Sequence, residues 1–258
     1  MADAPKQSNE AAEGGREGSG VPQLGREPGA SNYGLSAEQI QFSHTFGTST
    51  PNQAINLHKV CCPLFVVLMM VVYGNYETPM FVYLAMHGMY SVCWLVSAQF
   101  FPLKNFEYKI PFPYWVMTFV TANSYLVIPW SLASTTRSLH PARVCVALVV
   151  YVMGMYLKFV SDAQLMTTLK FRKGLVTEAL FCRTRNPSYF GEILLYIGYL
   201  LIAKAWIGWF VCLAWWLLVF TPNIRSKDKS LSRYEAFKAY SKEAWVLIPN
   251  PFPLPKLI

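Results

Sequence analysis

The amino-acid sequence predicts an all-α, polytopic membrane helical bundle of about six transmembrane helices behind a disordered N-terminal tail, and three observations carry that expectation. Of 258 residues, 53% are hydrophobic and only 14% charged, which is too apolar over too long a stretch for an ordinary soluble domain. The apolar residues are gathered into runs long enough to span a bilayer, which takes about 20 residues each. The charges fall between these runs. Residues 1–59 carry four basic and six acidic residues, leaving 18 basic against eight acidic in 60–258. Most of that excess lies in loops flanking apolar segments, a membrane-topology pattern that gives no support to nucleic-acid binding.

Taken in order, residues 1–55 are rich in Gly, Glu and Ser, with few large apolar side chains, and are expected to be a disordered tail. This tail lacks the basic and apolar regions of a signal peptide, so insertion is expected to rely on the first spanning helix. From Lys59 to Phe101 the chain is apolar except for Gly74-Asn75-Tyr76-Glu77-Thr78-Pro79, a turn that makes the segment a helical hairpin. A third span is expected over Tyr114–Leu132 and a fourth over Ala142–Phe159, so that residues 56–160 hold helices one to four. The run Ile193–Thr221 has Lys204 as its only charge. As one helix it would be about 43 Å long, well beyond a hydrocarbon core of about 30 Å, so two short spans turning at Lys204-Ala205 fit better. Residues 161–258 then comprise a catalytic loop, spans five and six, and a C-terminal cytosolic segment.

Six spans put both termini, the 102–113 loop and the 160–187 loop on one side. Outside the tail that side receives 15 Lys and Arg, against only Arg137, Arg143 and Lys204 opposite. The positive-inside rule assigns it to the cytosol, with both termini cytosolic. Six scattered cysteines and four histidines form no CxxC, HExxH or HxxxH pattern, so small buried hydrophobes are expected and no metal site.

The polar residues that interrupt this chain collect near its end. Arg185-Asn186-Pro187 closes the basic loop and opens the fifth span, with Asn186 as expected N-cap and Pro187 at the first helical position. Arg185, Tyr189, Glu192 and Tyr196 are spaced to share one helix face. A carboxylate inside a spanning helix is costly and marks a site or a pathway, which makes Glu192 the first candidate for chemistry and Tyr189 its neighbour. After the sixth span, Arg225, Lys227 and Arg233 suit phosphates, and Asp228 suits a sugar hydroxyl or a basic partner. An interfacial amphipathic helix on anionic lipid is the equal alternative for that segment. Asp162 and Gln164 are expected just past the fourth span, facing the same compartment. Since no GxGxxG, P-loop or strand-like alternation occurs, any nucleotide must be held by helix ends and loops.

The segment Asp162–Pro249 resembles a membrane family that includes the C-terminal domain of steroid 5-alpha reductases, sterol reductases and uncharacterised DUF1295 reductase-like proteins, with isoprenylcysteine carboxyl methyltransferase more distant. The shared pattern is Asp162-x-Gln164, Gly174-Leu175, Arg185-Asn186-Pro187-x-Tyr189-x-Gly191-Glu192, Lys227-Asp228, Arg233-Tyr234, Tyr240 and Ile248-Pro249. The resemblance implies NADPH held by Asp162, Gln164, Arg185, Asn186, Lys227, Asp228, Arg233 and Tyr240. It also implies Tyr189 and Glu192 as catalytic residues, and a lipophilic substrate entering from the bilayer. The expected activity is NADPH-dependent reduction of a C=C bond in a lipid (steroid, sterol, enoyl or isoprenoid-like), in the endoplasmic reticulum by the logic of lipid chemistry. Two alternatives stay open: an S-adenosylmethionine-dependent methyltransferase of a membrane substrate, and a non-catalytic membrane subunit. Glu192, where the methyltransferase branch tends to carry tryptophan, favours the reductase.

Overall fold

The structure, a computed structural model, describes residues 49–101, 108–135 and 138–252. The expected tail lies outside these residues as far as position 48, as do Lys104, Arg137 and Lys256 of the charge count. The first helix, α1 (Pro51–Tyr73), starts within the stretch assigned to the tail. A capping box explains the earlier start: Gln53 N–H donates to Thr50 Oγ1 at 3.3 Å, Thr50 N–H donates to Gln53 Oε1 at 3.0 Å, and Pro51 takes the first helical position.

The expected hairpin forms. Gly74, at φ +59° in the left-handed region that an unbranched backbone adopts without strain, ends α1. The next helix, α2, is Thr78–Phe100. Asn75 is buried between them and donates through Nδ2 to the Ala133 carbonyl at 3.0 Å, pinning this turn to the end of α3 (Phe112–Ala133). α3 tightens through a 3-10 turn at Ser124–Leu126, where Thr118, Thr121 and Asn123 turn their side chains back onto carbonyls four residues earlier.

Helix α4 (Pro141–Phe171) corrects the expected boundary at Phe159. Asp162, Gln164 and Lys170 ride on the helix instead of in a loop past it. Lys158 and Asp162 pair one turn apart at 2.6 Å, so the first polar residues of the expected loop stabilise a helical continuation. The break expected at Lys204-Ala205 is present: α5 (Pro187–Ala203) closes with Lys204 at φ +50°, its N–H donating to the Leu200 carbonyl at 3.0 Å. α6 (Trp206–Leu231) passes through a π-helical turn at Trp216–Phe220, and the short α7 (Phe237–Glu243) follows.

Helices α1, α2, α3, α4 and α6 are long and apolar enough to cross a membrane. At 17 residues α5 is shorter, about 26 Å, yet it is the innermost, with Leu195, Tyr196, Tyr199, Leu200 and Ile202 enclosed. The ends of the helices sort as an even number of crossings requires. At one end Trp130 Nε1–H donates to the Tyr73 hydroxyl at 2.9 Å, and Arg143 Nε–H to the Leu201 carbonyl at 2.6 Å. At the other, Ser49 bridges to Ile110, Trp94 Nε1–H donates to Asn56 Oδ1 at 3.0 Å, and Arg185 meets Asp228.

The tightest crossing is α4 on α5. A Cβ built on Gly191 would stand 2.5 Å from the Lys158 backbone nitrogen and 2.7 Å from the Gly154 carbonyl; one on Gly154 would stand 2.5 Å from the Leu195 nitrogen. Because these neighbours are backbone, they cannot rotate away. Gly191→Ala is therefore expected to cost about 1–3 kcal/mol, lowering the midpoint of thermal unfolding in detergent. Gly88→Ala, whose added methyl meets nothing within 4 Å, should leave the midpoint unchanged or raise it.

Candidate functional site at the basic end of the bundle

A layer of polar and charged side chains lies inside the bundle near its basic end. Glu192, in the second turn of α5, accepts a hydrogen bond from the Tyr90 hydroxyl of α2 at 3.4 Å. On α4, the Lys158 ammonium donates to Asp162 Oδ2 at 2.6 Å and to Ser188 Oγ at 3.1 Å, with 6% of the lysine side chain exposed. Lys59 of α1 is equally buried, and its ammonium lies 4.2 Å from the centre of the Tyr90 ring. Trp94, one turn beyond Tyr90, sits 5.3 Å from Lys59 and 5.2 Å from Lys158. Burying a charge without partners is prohibitive, and each of these has an opposite charge, a hydroxyl or an aromatic face beside it. Next to this layer is a shallow cleft, mostly apolar, lined by Asn52, Trp94, Ser97, Ala98, Phe101, Phe159 and Asp162.

Outside this layer, the chain after α6 is strapped to the segment before α5. Thr184 and Trp245 form a parallel bridge, with Arg185 N–H on the Trp245 carbonyl at 2.8 Å. Arg185 uses its whole guanidinium: Nε and Nη2 donate to Asp228 Oδ2 at 3.2 and 2.9 Å, and Nη1 donates to the Ser241 and Ala244 carbonyls at 3.1 and 2.7 Å. Lys227 Nζ donates to the Arg185 carbonyl at 2.9 Å and to Asn186 Oδ1 at 3.1 Å, while Asn186 Nδ2 donates to the Val246 carbonyl at 2.8 Å. The Tyr240 hydroxyl donates to the Phe181 carbonyl at 2.7 Å, and burial holds this phenol above the usual tyrosine range. Asp162 and Asp228 both lie close enough to attract the Lys227 ammonium, which couples the strap to the inner layer.

The residues expected from sequence thus fall into separate places. Glu192 and Asp162 belong to the inner layer. Tyr189 packs its ring against Phe220 of α6, 4.8 Å between centres. Gln164 holds the loop before α5, donating to the Glu178 carbonyl at 2.8 Å and accepting from Leu180 N–H at 3.3 Å. In that loop, the Thr177 N–H and the Arg172 guanidinium hold the Glu178 carboxyl below the usual range. Arg233 is exposed and stacks on Tyr234, 5.0 Å to the ring centre.

Two expectations are corrected. Asn186 occupies the N-cap position of α5 but makes no capping bond, because both ends of its amide are engaged by Lys227 and Val246. Arg185 does not share a face with Tyr189 and Glu192, since the residues before Pro187 are not helical and aim the guanidinium at α6 and α7.

Lys59, Tyr90, Trp94 and Lys158 were not singled out by the sequence. For Lys158 and Asp162 the i,i+4 spacing in an apolar run was the available signal; the Tyr90–Glu192 contact spans 102 residues and left none.

Removing the guanidinium would leave Asp228 and two buried carbonyls unpaired. Arg185→Met is expected to cost about 3–5 kcal/mol locally, freeing residues 237–252 while α1–α6 stay assembled. Limited proteolysis should then cut beyond Leu231 in the variant and spare the parent protein.

No curated protein matches the chain. A family model described as 3-oxo-5-alpha-steroid 4-dehydrogenase matches residues 107–252. That match spans more than half of the 258 residues and includes α3 to α7, the strap and Glu192, so the chain belongs to the 3-oxo-5-alpha-steroid 4-dehydrogenase family.

Proposed function

We propose that this protein is a membrane-embedded, NADPH-dependent reductase of a carbon–carbon double bond conjugated to a carbonyl in a lipid. The observation that carries the reading is the Tyr90–Glu192 pair, a phenol and a carboxylate held together inside a bundle of spanning helices, in a chain of a steroid-reductase family.

The residues at the basic edge fit a phosphorylated dinucleotide. Asp228 Oδ1 is buried and has no hydrogen-bond partner among the described residues, an acceptor that a ribose hydroxyl or an amide would satisfy. Arg225, Lys229 and Arg233 are exposed around it, with donors for phosphate oxygens. Arg185, Asn186, Lys227 and Tyr240 shape the floor through the strap, and Asp162 with Gln164 bounds the side nearest the cleft. NADPH, when bound, supplies hydride to one carbon of the double bond.

The remaining work falls to this chain. The apolar body of the substrate approaches from the bilayer along the apolar surface formed by Trp94, Phe101 and Phe159. Tyr90, held beside Glu192, turns its hydroxyl hydrogen from Glu192 Oε1 to the bound substrate and donates that proton to the carbonyl oxygen or the second carbon. Glu192, between Tyr90 and the Asp162–Lys158 pair, returns a proton to Tyr90 from the cytosolic edge. Tyr189 packs beside this path and is the second phenol available to it. The basic face lies in the cytosol, where soluble NADPH is available, and the endoplasmic reticulum is the membrane that offers such lipids.

The test is direct. Purified protein in detergent should change NADPH fluorescence on binding and should oxidise NADPH when given a 3-oxo-4-ene steroid or another lipid enone from a panel. Tyr90→Phe and Glu192→Gln are each expected to lower kcat by about 10²–10⁴-fold while NADPH binding persists, and Arg233→Glu to weaken that binding. Binding of S-adenosylmethionine in place of NADPH would replace this reading with the methyltransferase one, and binding of neither would leave the non-catalytic subunit.

A further inference from the structure

Lys59 has no role in the step just described, and its position is hard to explain by stability. It stands nine residues into α1, 4% exposed, and no carboxylate oxygen among the described residues lies within ion-pair distance of its ammonium. Lys158, by contrast, is neutralised by Asp162 at 2.6 Å. A buried ammonium in a spanning helix is expensive, and a methionine of similar reach would fill the same space at far lower cost. What Lys59 touches instead is aromatic: the Tyr90 ring at 4.2 Å and the Trp94 ring at 5.3 Å.

We propose that Lys59 stabilises the negative charge that develops on Tyr90 as it gives up its proton, making Lys59 a positioning residue for the proton transfer. The inference rests on the reading of Tyr90 as proton donor. In that step the Tyr90 O–H bond breaks and the proton bonds to the substrate carbonyl oxygen or carbon. Its electron pair stays on the phenolate, the substrate's other hydrogen and electron pair come from NADPH, and the phenolate recovers a proton from water through Glu192. Phenolate charge spreads into the ring, directly under the ammonium. Every other neighbour is neutral or works the other way. Glu192 and Tyr196 act on Tyr90 from α5, Tyr125 from α3 and Asp162 from α4, and the Lys158 charge is spent on Asp162. Lys59 is thus the cation held over the Tyr90 ring, with Glu192 the carboxylate that attracts it from beyond ion-pair distance, placed where charge appears only after the proton has left. A charge so placed lowers the barrier without tightening ground-state binding.

The experiment compares the parent protein with Lys59→Met, Lys59→Arg, Tyr90→Phe and the double variant Lys59→Met/Tyr90→Phe in detergent. With NADPH and a 3-oxo-4-ene steroid, Lys59→Met should lose about 10²-fold in kcat with KM little changed. Lys59→Arg should recover most of that loss, and the double variant should be no slower than Tyr90→Phe alone. A second readout needs no turnover. With Tyr90 replaced by a fluorinated tyrosine, whose phenol ionises at lower pH than tyrosine and so while lysine still carries its proton, the phenolate absorbance should appear at a pH higher by about one unit or more in Lys59→Met. If the parent does not reduce the steroid, the functional reading falls for that substrate class while the titration still decides the role of Lys59. An unchanged titration, or a loss of kcat that arginine does not restore, overturns the inference.

Discussion

The backbone contact between α4 and α5 is the constraint on which the other arrangements depend. Gly154 and Gly191 allow two helices to approach until carbonyl and amide atoms are separated by little more than the missing side chains. At that separation Lys158 reaches Ser188 at 3.1 Å, and Glu192 is turned toward α2, where Tyr90 meets it. Were the crossing wider by the thickness of a methyl layer, the Lys158–Ser188 bond would open and Glu192 would lose its register against Tyr90. In a bilayer no hydrophobic force drives helices together, because lipid is as apolar as their side chains; small residues that admit close packing supply the association instead.

That crossing also explains how the bundle tolerates so much polarity. Its core is built from tyrosines: Tyr83, Tyr90, Tyr125, Tyr151, Tyr196 and Tyr199 are all buried. Tyr125 stacks on Tyr196 at 4.1 Å, and Tyr151 donates its hydroxyl to the Met86 carbonyl at 2.6 Å. A tyrosine fills space as a phenylalanine does while carrying one polar atom, so hydroxyls can line an interior that remains close-packed. The Lys158 ammonium is then faced by a ring as well as by a carboxylate, and that of Lys59 by two rings. The strap at the basic edge follows a different economy. Arg185 spends four donors on Asp228 and two carbonyls, which ties a short C-terminal segment, unable to bury a core of its own, to the mouth of the bundle.

How much of this was legible in the sequence depends on distance along the chain. The five long apolar helices and the shorter α5, the hairpin turn at Gly74 and the break at Lys204 follow from run length and punctuation, which are local properties. The identity of the strap residues was legible too, since Arg185, Asn186, Lys227, Asp228 and Tyr240 stand in a spaced pattern. Their geometry was not: helical periodicity placed Arg185 on the face of Glu192, but periodicity holds only inside the helix, and α5 begins two residues later. The fourth span was cut short at Phe159 because Asp162 and Gln164 read as loop residues. The i,i+4 partner that makes Asp162 tolerable, Lys158, lies just inside the apolar run.

The inner layer was the least legible part, for a reason that bears on its function. Tyr90 and Lys59 sit in runs whose composition is explained by the membrane alone, and nothing near them in sequence announces a site. Only the crossing of α1, α2, α4 and α5 brings them to Glu192. The spaced pattern near the C-terminal end therefore describes the strap at the basic edge, and not the layer inside the bundle. That layer includes Lys59 of α1 and Tyr90 of α2, both buried among the helices. The family match covers residues 107–252, so the segment that shows the family carries Glu192, while Lys59 and Tyr90, which lie beside it, stand on the helices that precede the match.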